Sequence, residues 1–142
     1  MSTSADRYAV DTSVAVACLD AAHSAHDVCR STVRRLRPGL SGHAAFETFS
    51  VLTRRPGQVG LDPHEAAQLI GRVFPRVLGI DGDGSAELLE RFGAIGVAGG
   101  AVCDGLVAEA ARRHGCVLLT RDQRARRTYD LVGVDWELVG LP

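Results

Sequence analysis

Four carboxylates stand in this chain where a carboxylate is costly. Asp11 ends the apolar run "YAV" and is the only charge between Arg7 and Asp20. Glu47 is embedded in "HAAFETFSVL" and Asp104 in "GGAVCDGLVAEAA", each among small or apolar residues. Asp122 follows the last leucine of "CVLLTRD". An acid inside an apolar run is expensive to bury unless a positive or hydrogen-bonding group meets it. Singly, each has a plain structural explanation: Asp11 can cap a helix opening at Ser13, Glu47 can face solvent, the macrodipole favours Asp104 in a first helical turn, and Asp122 can pair with nearby arginines. If the four converge, carboxylates about 5 Å apart repel by roughly 3 kcal/mol per pair at an effective dielectric of about 20. A divalent cation removes that cost. Oxygen donors suit Mg²⁺ or Mn²⁺, whereas zinc fits poorly without a His/Cys set. Such an ion acidifies a bound water and offsets charge on a phosphodiester transition state.

An acidic pocket has no attraction of its own for an anion, so the distribution of cations matters more than the net charge of -1. All basic residues are arginine, with no lysine. Arg121, Arg124, Arg126 and Arg127 flank Asp122, Arg112 and Arg113 follow Asp104, and Arg54 and Arg55 follow Glu47. Guanidinium groups match phosphate geometry, although each is also at home on a solvated surface. His43 stands one helical turn before Glu47 and reads as a structural or RNA-contacting group rather than a ligand. Tyr129 and Trp136 read as packing residues. No phosphate-binding loop of the G-x-x-x-x-G-K-[ST] or G-x-G-x-x-G type occurs.

These residues need elements to position them. "RYAVD" (7–11), "RVLGID" (76–81), "CVLLT" (116–120) and "VDWEL" (134–138) read as strands, with a brief extended piece near residue 40. Between them lie helices: one opening at Ser13, one over 23–36 ended by Pro38-Gly39, one through Glu47 stopped by Pro56-Gly57, one capped by Asp62 with Pro63 at its first position, and one over 84–93. A further helix through Asp104 is terminated by Gly115, and a short one follows Asp122. This alternation predicts an α/β fold with a central parallel sheet flanked by helices on both faces. In such sheets ligands bind beyond the carboxyl ends of strands, where Asp11 and Asp122 fall.

With 142 residues, 46% of them hydrophobic, the chain fits a single domain spanning 1–142. The four cysteines form no C-x-x-C pair and read as reduced thiols, three of them in core runs. "MSTSADRY" lacks the apolar stretch of a signal peptide and no run is long enough for a membrane span, so a soluble cytoplasmic protein is expected.

The motifs "VDTSV" (10–14), "HAAFETFSVLTRRP" (43–56), "GGAVCDGLVAEAARRHG" (99–115) and "LLTRDQRARRTYDLVGV" (118–134) resemble, in order, those of PIN-domain ribonucleases. Within that family they are similar to the VapC toxins of bacterial toxin-antitoxin pairs. The resemblance covers essentially the whole chain and implies a three-layer PIN-like fold and Mg²⁺- or Mn²⁺-dependent cleavage of a structured RNA. It implies that Asp11, Glu47, Asp104 and Asp122 are catalytic and hold the metal, with Asp11 and Asp104 the main direct ligands. Thr12, Ser13 and Thr120 match hydroxyl positions beside the site, and with Arg121 and Arg124 they are candidates to contact substrate. It also implies homodimers and a VapB-like antitoxin whose tail covers the acidic pocket. Cys103, where relatives often carry an aromatic residue, departs from the pattern and bears only on local packing. The rival readings are a receiver domain or a haloacid-dehalogenase-like phosphatase, both of which use a lysine that this chain lacks, and a catalytically inert PIN-like binding module.

Overall fold

The apolar runs become the middle of a parallel sheet. The computed structural model describes residues 6–54 and 61–140. In it β1 (Tyr8–Val10) lies between β2 (Gly39–Ser41) and β4 (Val117–Thr120), with Val10 opposite both Leu40 and Leu119. The strands β3 (Val77–Leu78) and β5 (Trp136–Leu138) complete the order β3-β2-β1-β4-β5, every pair parallel. Ala9, Val10, Leu40, Leu118 and Leu119 are buried, as strands covered on both faces require.

The described residues form the helices α1 (Thr12–Leu19), α2 (His26–Leu36), α3 (Ala44–Thr53), α4 (Pro63–Val73), α5 (Ser85–Ile95), α6 (Ala101–Arg113) and α7 (Arg126–Val132). Those that step outward from β1 through β2 to β3 pack on one another, α1 on α2 and α3, and α3 on α4. Those on the return through β4 to β5 do the same, α5 and α6 on α7. Right-handed crossovers in opposite directions put the two sets on opposite faces. The result is the expected three-layer α/β architecture. At α4, Asp62 caps the helix by accepting from the His64 amide at 2.7 Å, and Pro63 opens it, as the sequence predicts.

Two boundaries differ from expectation. The strand read over 76–81 keeps only Val77 and Leu78, because its partner β2 ends at Ser41 and Gly42 (φ +49) turns the chain away, leaving nothing to pair with. The helix read from His23 opens at His26, since His23 Nδ1 accepts from the Ala25 amide at 3.0 Å and holds a turn there. The stop assigned to Pro56-Gly57, and Arg55 before it, lie outside the described residues. Cys18, Cys29 and Cys116 are buried, Cys103 is exposed, and all are free thiols. No helix among the described residues is long and apolar enough to cross a membrane.

One glycine beside the acids is fixed by space. A Cβ on Gly105 would stand 2.9 Å from the Phe92 ring and 3.1 Å from Val97, so α6 can lie this close to α5 only with glycine after Asp104.

Candidate active site

The strand order reverses between β1 and β4, and in open α/β sheets the crevice at such a switch point is where ligands bind. Asp11 leaves β1 there, its amide still bonded to the Leu119 carbonyl at 3.2 Å. Its side chain caps α1, with Oδ1 accepting from the Val14 amide at 3.2 Å and from the Ser13 hydroxyl. Oδ2 accepts from the hydroxyls of Thr120 and Tyr129, the latter at 2.7 Å. Asp11 is only 3% exposed, and burial pushes its carboxyl above the usual range, while these hydrogen bonds act in the opposite direction. Capping and membership of the acid group, alternatives in the sequence, coexist at this residue.

The other three acids reach the same end of the sheet. Burial pushes the Asp104 carboxyl up to about 6, reinforced by the negative charges of Asp122, Glu47 and Asp11 and opposed by Arg124. Glu47, on α3, accepts from the Thr12 hydroxyl through Oε2 at 3.2 Å. Its Oε1 is buried without a hydrogen-bond partner and lies 3.5 Å from His43 Nε2. Asp122 is held by its neighbours: its amide donates to Thr120 Oγ1 at 3.0 Å, and its Oδ1 accepts from the Arg124 amide at 3.0 Å. Among the described residues no ion pair reaches Asp11, Asp104 or Asp122. Like charges are thus assembled without a matching protein cation, apart from Arg124 nearby. Oxygen donors under mutual repulsion, one of them buried without a hydrogen bond, suit a divalent cation.

The residues around the acids divide by role. Ser13 Oγ also accepts from the Arg121 amide at 2.8 Å, so Ser13 and Thr120 tie the β1 and β4 loops together through Asp11. The Arg121 guanidinium turns to the Val139 carbonyl at 2.8 Å. Arg126 lies 5.8 Å over the Trp136 ring. Tyr129 is buried, as expected, but its hydroxyl contact with Asp11 was not legible from spacing; the available signal was that a buried tyrosine hydroxyl needs a partner.

Two sequence expectations are corrected here. Arg112 and Arg113, read as cations free for an anionic substrate, are engaged within the protein: with Arg91 they clamp the buried Glu109, at 2.7 to 2.9 Å. A His/Cys set does accompany the acids, since one donor atom each of His43, Glu47 and Cys103 lie within 4.8 Å of one another.

The family model described as the PIN domain matches residues 8–131. Ribonuclease VapC27 of Mycobacterium tuberculosis strain H37Rv is 41% identical over 126 residues, 89% of this chain and 92% of that protein. Ribonuclease VapC40 of the same organism is 38% identical over 139 residues, 92% of this chain and 98% of that protein. The chain belongs to the PIN-domain family, in the branch of the VapC ribonucleases.

Proposed function

We propose that this protein is a Mg²⁺- or Mn²⁺-dependent endoribonuclease, the toxin of a VapBC-type pair, built as a single PIN domain over 1–142. The observation that carries the reading is the meeting of Asp11, Glu47, Asp104 and Asp122 at the switch point, where Asp104 is pushed up to about 6 by burial and its acidic neighbours. The names of the ribonuclease relatives support RNA as the substrate. Asp104, Glu47 and Asp122 would hold the cation with Asp11. When bound there, the cation supplies the charge that acidifies a water and offsets the developing negative charge of the transition state.

The chain's own residues prepare that chemistry. Ser13, Thr120 and Tyr129 hold the buried Asp11 carboxylate in one orientation. Thr12 orients Glu47. Arg124 is the cation best placed to receive an RNA phosphate, because its charge already reaches Asp104. Arg121 acts through its amide on Ser13, and any phosphate contact would require its guanidinium to leave Val139.

The partners belong to the same reading. A VapB-like antitoxin would cover the acid cluster with its tail, and a separate groove of about 810 Å³ lined by Arg30, Arg34, Arg37 and Arg72 together with Leu69 and Val73 would take an acidic amphipathic segment of it. A homodimer and a cytoplasmic location complete the proposal.

The test is cleavage of labelled RNA by wild type and Asp11→Asn, with Mg²⁺ and then with EDTA. Fragments from wild type that disappear with chelation or with the substitution are expected. Fragments that persist through both would sink the assignment. Growth arrest that survives Asp11→Asn, with no cleavage by either protein, would mark an inert binding module instead.

A further inference from the structure

One side of the pocket carries donors that a hard cation does not seek. His43 is the residue before α3, Glu47 lies one turn later, and Cys103 is in the first turn of α6. An imidazole nitrogen of His43, a carboxylate oxygen of Glu47 and the Cys103 thiol Sγ lie within 4.8 Å of one another, and His43 Nε2 stands 3.5 Å from Glu47 Oε1. Tetrahedral ligands bonded to zinc at about 2.0 to 2.3 Å stand roughly 3.3 to 3.8 Å apart, so small side-chain adjustments close the set. Glu47 Oε1 is the independent pointer: it is buried, and no hydrogen bond satisfies it. The approach is open, with Cys103 exposed and His43 partly so.

We propose that His43, Glu47 and Cys103 form a Zn²⁺ site at the rim of the acidic pocket, and that its occupation withdraws Glu47 from the acid cluster and inhibits RNA cleavage. The inhibitory half rests on the function proposed above, whereas the binding half does not. Ligation forms a Zn–S bond as the Cys103 thiol gives its proton to solvent, and imidazole enters through its neutral nitrogen. Three protein ligands leave a fourth position for water or a phosphate oxygen. Magnesium avoids thiolate and imidazole, so the two ions sort between rim and floor by donor type.

The experiment titrates the metal-stripped full chain with ZnCl₂ by calorimetry in saturating MgCl₂, and follows alkylation of Cys103 by peptide mass spectrometry. Cys103→Ser keeps the size of an exposed side chain, and His43→Asn keeps a favourable residue before the helix, so both should fold; circular dichroism checks this. Wild type should bind one zinc and protect Cys103, with affinity weakened about tenfold or more in each variant. Zinc should suppress RNA cleavage by wild type, with about tenfold more needed for Cys103→Ser. Equal zinc affinity in wild type and Cys103→Ser, or alkylation unaffected by zinc, overturns the site. Zinc that binds at Cys103 and leaves cleavage intact overturns the inhibition. Zinc binding with Cys103 protection in a protein that cuts no RNA with Mg²⁺ would uphold the site and defeat the nuclease reading.

Discussion

Asp104 and Glu109 lie on the same helix, and their carboxyl groups live in opposite electrical settings. Burial acts to raise the Glu109 carboxyl, but hydrogen bonds from Arg112 and Arg113, the charge of Arg112 and a hydrogen bond from Arg91 outweigh it and hold the group down at about 2. At Asp104 burial raises the carboxyl, and its charged neighbours Asp122, Glu47 and Asp11 push it the same way, up to about 6. Glu109 is 1% exposed and completely paired; Glu47 in the cluster keeps a buried oxygen with no hydrogen bond, only the His43 imidazole at 3.5 Å. The fold thus has arginine to spare for a buried acid and does not spend it on the acid cluster. A carboxylate supplied with its own cations serves the architecture. A group of them left short of cations fits the proposal that one comes from outside.

That contrast can be broken by exchange. Asp104→Asn should lower RNA cleavage by at least about a hundredfold, ~3 kcal/mol in the barrier. In EDTA at pH 7 the same variant should be more stable than wild type by about 1 kcal/mol, because a repelled charge is gone. A loss of both activity and stability on calorimetry would place Asp104 with Glu109. Glu109→Gln should do the reverse: it should cost about 2 kcal/mol by leaving three guanidiniums without their anion, while cleavage by the folded fraction stays near wild type.

The pH dependence sharpens the same comparison. Asp104 has a folded value near 6 against an ordinary value of 3.8, so the folded state holds the proton more tightly. Its effect on metal-free stability is a loss that develops as pH rises from about 3.8 to about 6 and is constant above. Glu109 has a folded value near 2 against 4.5, so its stabilisation is complete above about 4.5 and is lost as pH falls toward 2. Urea titrations in EDTA should therefore show the upper slope flattened by Asp104→Asn and the lower one by Glu109→Gln. Cation affinity should rise through pH 6 as Asp104 ionises. The smallest effect is expected at Tyr129→Phe, which removes one of four donors to Asp11 and should cost about 1 kcal/mol in urea unfolding. No measurable change there would show that the hydroxyl does not hold Asp11.

Much of this was legible in the residues, for reasons that also explain the failures. Asp11 and Asp122 could be placed because a parallel sheet sends both strand ends to one side, and Asp104 because glycine and small residues mark the opening of its helix. Glu109 was missed because "EAARR" reads as an exposed helical charge pattern; its burial depends on Arg91, eighteen positions away on α5. The same tertiary fact hid the pairing of Arg112 and Arg113 with that acid. The meeting of His43 with Cys103 depends on how α3 and α6 approach across the sheet end, which no local period encodes. The overlong third strand failed for want of a partner, a property of β2 rather than of its own residues.

The arginine clamp on Glu109 has a mechanical meaning for the far end of α6. Arg91 ties that helix to α5 and, through the Val132 carbonyl, to the end of α7, while Asp104 projects from its opening turn into a crowd of like charges. The helix is a cantilever, anchored along its length and loaded at its tip. Because the anchor is in place without an ion, a cation taken up as proposed would have little of its seat left to assemble.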